Sequence, residues 1–260
     1  MRLHFASGRT KLVQRLCAAI TLLAAVGTSV AAQPPGLVVS VAASVYDALD
    51  EIAGLYRAAT GINVALNAGG SNTLARQIVE GAKAGLFVSA DTAQMDIVEK
   101  AGRVVAGTRT PLLTNELAIV VPKTSTDVTL ARVLEGRITR LAMGEPGAVP
   151  AGVYGRRWLE HERAWTRVEP KVIPFPTVRA VLSAVEAERV DAGIVYRTDA
   201  MASSVRVIAQ ISRREHPYLD ITYPAAVIVG PSEADAKRFL EFLKGPVARA
   251  VFDRRGFGKP

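Results

Sequence analysis

Strand-like and helix-like segments alternate along this chain, and no long linker interrupts them. Six short apolar runs predict strands: LVVSVA, INVALN, LFVSA, RLAMG, KVIPF and AGIVY. Most of these runs are followed by a stretch whose apolar residues recur every three or four positions, as in an amphipathic helix. Because parallel strands need a crossover helix between them, this order predicts an α/β fold with parallel, doubly wound sheets and helices on both faces.

Two further apolar runs, ELAIVVPK and YPAAVIVG, are each bounded by a proline and predict long strands. A chain of this length can form one large domain or two lobes. In the two-lobed case these runs are the natural crossover strands, and two crossing strands form a hinge beside a cleft. We therefore expect one lobe of residues 33–116 and 226–260, a second lobe of residues 117–225, and a cleft at the carboxyl ends of the strands.

The first 32 residues have the layout of a secretory signal peptide. Residues 1–15 contain four Lys and Arg residues and no acid, and residues 16–26 form an apolar run that is too short to span a bilayer. Small residues follow, with Val30 and Ala32 at the positions that precede a cleavage site. We expect cleavage near Ala32 and export to the periplasm.

Composition argues against several classes of function. The single cysteine, Cys17, lies within the expected signal, so the mature chain would have no disulfide and no thiolate chemistry. The signal also contains four of the 32 Lys and Arg residues, which leaves 28 against 24 Asp and Glu and a net charge of about +4. These charges alternate along the chain without a basic block, so we expect no nucleic-acid partner.

Several predicted helices begin with small or hydroxyl-bearing residues. Ser44 follows the first strand, Ser71 follows a pair of glycines, and VPAGVY and FPTVRAVL place further helix starts near Ala151 and Val178. A helix start leaves up to four N–H groups unpaired and carries a partial positive charge. Several starts that face one cleft would form an anion site without lysine or arginine. Taken singly, Ser44 and Ser71 are better explained as N-caps, and only the convergence of several helix starts argues for a ligand.

The chain contains no G-x-S-x-G, G-x-x-x-x-G-K-[ST] or H-E-x-x-H motif, so its sequence does not predict an enzyme. Beyond the expected signal the only histidines are His161 and His216, 55 positions apart. We interpret them as a solvated helix residue and a loop residue. A secreted hydrolase or transferase that uses a serine is an alternative, but it needs a base beside its nucleophile.

Six stretches, in this order, resemble the periplasmic molybdate-binding proteins of bacterial ABC transporters (the ModA family): VAASVYDALDEIAGLY, SNTLARQIVEGAKAGLFVSAD, LAIVVPK, GEPGAVPAGVY, GIVY and LKGPVARAVFDRRGF. The resemblance covers nearly all of the mature chain. It implies a two-lobed periplasmic-binding-protein-like fold of type II, with two crossover strands forming a hinge. It also implies a monomeric receptor that captures molybdate, and tungstate, and delivers the anion to a membrane ABC permease.

The resemblance further implies the ligand-binding residues. Ser44 and Ser71 would donate hydrogen bonds through their hydroxyl and backbone N–H groups, Ala151 and Val178 through the backbone, and Tyr196 through its phenol. Molybdenum would be bound only as the oxyanion, with no direct protein ligand, no cofactor and no catalytic residue. A dianion has no proton to donate, so every group around it should be a donor.

The chain departs from the family pattern beside this expected site. Gly69 and Gly70 stand where the family often has serine or alanine, and Asn72 stands where it often has serine. Lys83 and Gly85 replace a common proline and aspartate at positions that look peripheral. Because Gly69, Gly70 and Asn72 border the expected site, the sequence does not predict the affinity for the anion.

Two alternative functions are compatible with the same fold. A receptor for another tetrahedral oxyanion such as sulfate stays open, whereas phosphate is disfavoured because its remaining proton needs an acceptor. The ligand-sensing domain of a regulator can share this fold, but the expected signal peptide and the absence of a DNA-binding helix pair in the sequence argue against it.

Overall fold

The computed structural model describes residues 36–260, so the expected signal peptide lies outside the described residues. The strands are β1 (Leu37–Ala42), β2 (Val64–Gly69), β3 (Leu86–Val88), β4 (Thr110–Thr114), β5 (Leu117–Val121), β6 (Leu141–Gly144), β7 (Val172–Phe175), β8 (Ala192–Tyr196), β9 (Arg206–Ile211) and β10 (Thr222–Val227). The α-helices are α1 (Tyr46–Thr60), α2 (Ser71–Val79), α3 (Thr92–Lys100), α4 (Leu130–Leu134), α5 (Pro150–His161), α6 (Trp165–Val168), α7 (Val178–Glu186), α8 (Arg197–Met201), α9 (Glu233–Lys244) and α10 (Pro246–Arg254). Short 3₁₀ turns cover Ala43–Val45 and Glu169–Lys171.

The strands form two five-stranded sheets, with the orders β2-β1-β3-β10-β4 and β7-β6-β8-β5-β9. Strands β1, β2 and β3 are parallel, as are β6, β7 and β8. Strand β10 is antiparallel to both neighbours in the first sheet, and β5 is antiparallel to both neighbours in the second. The expected α/β, two-lobed fold is therefore confirmed, but the sheets are mixed and not wholly parallel.

The reversed strands are the two that enter their sheet from the other one. Strand β5 follows β4 of the first sheet, and β10 follows β9 of the second. Each begins at the edge of its sheet where the parallel strands end, since Leu117 pairs with Tyr196 at the end of β8 and Ala225 pairs with Val88 at the end of β3. A strand that enters at this edge must run opposite to its neighbours.

The two connections between the sheets lie side by side. The first consists of Asn115 and Glu116, and the second is the return segment, which we define as residues 212–221. The backbone N–H of Asn115 donates to the carbonyl of Ile221 over 3.0 Å. The chain changes sheet between Thr114 and Leu117, and the expected lobe boundary at residues 116 and 117 stays a prediction. The expected boundary at residues 225 and 226 falls inside β10, all of which pairs in the first sheet, so the return to that sheet is complete before Thr222.

Helices cover the sheets with their apolar faces. In α1 the buried residues Leu49, Ile52, Ala53 and Tyr56 recur at the three- and four-residue spacing of one helix face, and Gly61 ends the helix in a left-handed conformation with φ of 74°. Burying one such large apolar side chain contributes about 1.5–3 kcal/mol. Among residues 36–260, no helix combines the length and the apolar character needed to cross a membrane.

Candidate functional site

A small cavity lies where the carboxyl ends of strands from both sheets meet. Its wall is formed by residues that follow β1, β2 and β3, by the starts of α5 and α7, and by the last residue of β8. Its volume is about 20 Å³, which is close to the space that one water-sized sphere requires. Among the described residues, none of those in the wall has a charged side chain. The cavity therefore suits a compact ligand that is bound through neutral groups.

The structure brings all five residues of the expected site into this wall. Ser44 and Ser71 come from the first sheet's side, and Ala151, Val178 and Tyr196 come from the second. Each is at most 5% exposed. The strand ends and helix starts that carry these five residues therefore face one cavity. The part that each residue plays in binding stays a prediction.

Ser44 is not the N-cap of a helix. It lies in the 3₁₀ turn between β1 and α1, and the N-cap position of α1 is occupied by Val45 without a side-chain capping bond. The Oγ atom of Ser44 lies 2.9 Å from the hydroxyl oxygen of Tyr223 in β10. The N-cap explanation for Ser44 is therefore wrong, because its hydroxyl is used in a contact between distant parts of the chain.

Ser71 is also not an N-cap, because Gly70 occupies that position and Ser71 is the first residue of α2. Its Oγ accepts a hydrogen bond from the backbone N–H of Ala90 over 2.9 Å. A hydroxyl that accepts one bond keeps its own proton, which can still be donated. Ser71 thus ties the segment after β3 to the start of α2 and retains a donor beside the cavity.

The glycine before Ser71 permits a close approach between the two sides of the cleft. A Cβ atom at Gly70 would lie 2.8 Å from the carbonyl oxygen of Pro176, which precedes α7, and 2.7 Å from Oδ1 of Asn72. At Gly69 a Cβ would meet only the side chain of Leu74, at 3.4 Å or more. Of the two glycines that depart from the family pattern, only Gly70 is required by its surroundings.

Two helix starts contribute backbone donors from the second sheet's side. In α5 the first intrahelical bond runs from Val153 to Val149, so the N–H of Ala151 has no partner within the helix. In α7 the N-cap Thr177 accepts from the N–H of Ala180 over 3.2 Å. Val178 is the first residue of this helix, so its N–H also has no partner within the helix. Both helix starts add a partial positive charge to the cavity wall.

Tyr196 supplies a buried hydroxyl group. Its oxygen has no hydrogen-bond partner among residues 36–260. Burial, reinforced by the neighbouring Tyr223, raises the pKa of Tyr196 well above its usual value, so the phenol stays protonated and remains a donor. A buried hydroxyl without a partner costs about 1–3 kcal/mol, which a ligand that accepts its proton would offset.

A polar network behind the cavity was missed by the sequence reasoning. The side-chain amide nitrogen of Asn115 donates to Thr198 over 2.9 Å and to the hydroxyl of Tyr223 over 3.3 Å. Either hydroxyl can donate in the contact between Ser44 and Tyr223, and when Tyr223 donates, the proton of Ser44 is left for the cavity. These residues sit in the hinge and at its edges, and nothing in their sequence spacing marks them.

Charged groups lie outside the cavity wall. Arg179, which follows Val178, places its guanidinium 2.6 Å from the carboxylate of Asp47 and 3.3 Å from that of Asp199. Burial raises the pKa of Asp199 to about 7, and the nearby Arg179 opposes this shift. Asp47 lies in α1 and Arg179 in α7, so the ion pair links the two sides of the cleft.

Residues 37–258 match the family described as bacterial extracellular solute-binding protein. The chain is 38% identical over 251 residues to the molybdate-binding protein ModA of Escherichia coli (strain K12), which covers 93% of this chain and 96% of that protein. The chain belongs to the ModA family of bacterial extracellular solute-binding proteins. The ModA-family assignment agrees with 32% identity over 243 residues to ModA of Haemophilus influenzae, covering 91% of this chain and 94% of that protein.

A solved structure shows the same fold. The periplasmic molybdate-binding protein of Azotobacter vinelandii superimposes with a TM-score of 0.77 at 23% sequence identity, covering 86% of this chain and 99% of that chain. The ModA family consists of solute-binding transport proteins and is not an enzyme family. The extracytoplasmic solute-binding role that the sequence implied is thereby confirmed.

Proposed function

We propose that this protein captures molybdate in the cavity between its two sheets and delivers it to a membrane ABC permease. The observation that carries the proposal is a small, buried cavity walled by neutral donors from both sides. The names of the two relatives, both molybdate-binding, identify the class of anion. Tungstate, with the same charge and tetrahedral shape, is the second ligand that we expect.

The donors suit a dianion that keeps no proton. Hydroxyl groups of Ser44, Ser71 and Tyr196, together with backbone N–H groups at the helix starts, can each donate to an oxyanion oxygen. A hydrogen bond to a charged group contributes about 1.5–3 kcal/mol, so five to seven such bonds offset the loss of hydration. The absence of a charged side chain from the described part of the wall leaves recognition to size and donor geometry.

Closure of the cleft follows from the same distribution of donors. Ser44 and Ser71 lie on one side, and Ala151, Val178 and Tyr196 lie on the other. Only a closed form presents all of them to one anion, so the anion binds this form more tightly and shifts the population toward it. A closed receptor is then the form that a permease would recognise.

Sulfate is the less favoured ligand. A smaller oxyanion cannot reach all donors of a rigid ring at once, so the ring discriminates by radius. Phosphate is disfavoured because its bound form keeps a proton, and no carboxylate stands among the described wall residues to accept it.

We further propose that the protein is not an enzyme, acts as a periplasmic monomer and has no nucleic-acid partner. The hydroxyl of Ser44 contacts Tyr223, whose pKa burial raises well above its usual value, and that of Ser71 contacts a backbone N–H. Neither hydroxyl contacts a histidine or a carboxylate that could act as a general base. Neither His161 nor His216 is part of the described cavity wall.

Calorimetric titration of the purified, oxyanion-free protein with molybdate, tungstate and sulfate tests the proposal. We expect one molybdate or tungstate per chain, sulfate at least tenfold weaker, and, at equal ligand concentration, a larger rise in melting temperature for the ligand that binds more tightly. Tighter binding of sulfate, or no binding of any tetrahedral oxyanion, would overturn it.

A further inference from the structure

Two histidines that are distant in the sequence meet at the far end of α5. His161 is the last residue of this helix, Glu162 follows it, and His216 lies in the return segment. One ligand atom from each of the three side chains lies within 4.8 Å of the others. The sequence-based interpretation of the histidines as separate surface residues did not foresee this cluster.

The spacing of the three side chains is close to that of a tetrahedral metal site. Nδ1 of His161 lies 3.5 Å from Oε1 of Glu162, and Nδ1 of His216 lies 4.0 Å from the same oxygen. Zinc bonds of about 2.0–2.1 Å place neighbouring ligand atoms roughly 3.3 Å apart. Small side-chain rotations therefore bring the three groups to bonding distance.

The electrostatic setting favours a cation. The cluster lies at the carboxyl end of α5, a helix of 12 residues, where the partial negative charge of the helix end attracts positive ions. Glu162 adds a formal negative charge. The side chain of His161 is 57% exposed, so an ion can enter from solvent and keep a water molecule as a fourth ligand.

Tyr218 restricts both imidazole rings. Its ring stacks on that of His161, with centroids 4.2 Å apart and an angle of 21° between the planes. Its hydroxyl lies 3.2 Å from Nδ1 of His216. The stacking reduces the conformational freedom that the His161 ring would lose on binding, whereas Nδ1 of His216 exchanges its contact with the Tyr218 hydroxyl for the metal ion.

We propose that His161, Glu162 and His216 form a site for a divalent metal ion of the zinc class. Two imidazoles and a carboxylate are a ligand set that zinc uses, and Ni²⁺ and Cu²⁺ accept the same nitrogen ligands. The bound ion joins the return segment to α5, the helix whose opposite end carries Ala151 in the wall of the anion cavity. Its role is to stabilise one of the two connections between the sheets.

The test is calorimetric titration of the metal-free, oxyanion-free protein with zinc chloride. We expect one zinc ion per chain and a rise in melting temperature of about 5 °C or more when free zinc is 100 times the dissociation constant. Cobalt(II) at the same site should give the visible absorption bands of tetrahedral coordination. His161→Ala and His216→Ala should each weaken zinc binding at least tenfold.

Two further variants separate ligand loss from general effects. Glu162→Gln should weaken zinc binding, whereas Glu160→Gln removes an exposed carboxylate on the same helix that pairs with Arg156 and should leave it unchanged. Circular dichroism of each metal-free variant establishes that it is folded. No zinc binding below 1 mM (roughly −4 kcal/mol), or equal binding by the double variant His161→Ala/His216→Ala, would overturn the proposal, and neither result depends on molybdate.

Discussion

The guanidinium of Arg179 lies 2.6 Å from the carboxylate of Asp47 across the cleft. Because Arg179 directly follows Val178, whose N–H is free at the start of α7, this ion pair sits beside one of the expected anion contacts. The pair forms only when α1 and α7 are close together. It therefore adds to the stability of the closed form.

Asp47→Asn should weaken molybdate binding by about 1.4- to 5-fold, since a partly exposed ion pair contributes about 0.2–1 kcal/mol. The loss should shrink as salt is added. Calorimetry at low and high ionic strength measures both effects. Asp50→Asn, an exposed position on the same helix, is the matched control and should bind like the parent. Equal affinities of the Asp47→Asn protein and its parent at low salt would show that the pair does not assist closure.

Asp199 should give the protein a pH-dependent stability. Its pKa in the folded protein, about 7, lies above the unfolded value near 3.9, so the folded state binds the proton more tightly. This contribution is fully present below about pH 4 and is lost as the pH rises to about 7. Asp199→Asn should flatten this decline in the free energy of unfolding.

Urea unfolding of the parent and the Asp199→Asn protein between pH 4 and pH 8 measures this difference. The comparison isolates Asp199 because other titrating groups are common to both proteins. Parallel stability profiles would contradict a raised pKa for this carboxyl group.

The sequence predicted the strands and helices that are most deeply buried. AGIVY and LAIVV are entirely buried strands, and their continuous apolar runs made them recognisable. Strands β4 and β9 were missed, and each is a partly exposed edge strand, but the edge strands β2 and β7 were recognised from INVALN and KVIPF, so edge position alone does not explain the difference. The direction of β5 and β10 depends on whether the preceding strand of the chain lies in the same sheet or in the other one. The local spacing of apolar residues does not contain that information.

Only some residues of the candidate site could be predicted from the sequence. Ser44, Ser71, Ala151, Val178 and Tyr196 follow from strand ends, helix starts and the family resemblance. Tyr223 and Asn115 could not be found in this way, because their contacts with Ser44 and Thr198 depend on how the two connections pack. The closeness of His161 and His216 likewise arises from the path of the return segment.

Tyr196→Phe should have opposite effects on ligand binding and on stability. Loss of one hydrogen bond to a dianion should weaken molybdate binding by about 10- to 150-fold. The ligand-free protein should unfold at an equal or higher temperature, because the change removes a buried hydroxyl that has no partner among the described residues.

Tyr56→Phe provides the matched control for this experiment. The hydroxyl of Tyr56 is also buried without a partner in residues 36–260, but it lies in α1 and not in the cavity wall. It should share the effect on stability and leave the affinity unchanged. Unaltered molybdate binding by the Tyr196→Phe protein would remove Tyr196 from the site.

Gly70→Ala should prevent the cleft from closing fully. The added Cβ would lie 2.8 Å from the carbonyl oxygen of Pro176, a backbone atom on the opposite side, so the two sides must move apart. We expect at least a tenfold loss of molybdate affinity (about 1.4 kcal/mol) with little change in the stability of the ligand-free protein. Gly69→Ala is the control, since its Cβ would make only an ordinary contact with Leu74 at 3.4 Å. Calorimetric titration with molybdate measures the affinity of both variants. Equal affinities would mean that the cleft tolerates a side chain at Gly70 and that closure does not require this close approach.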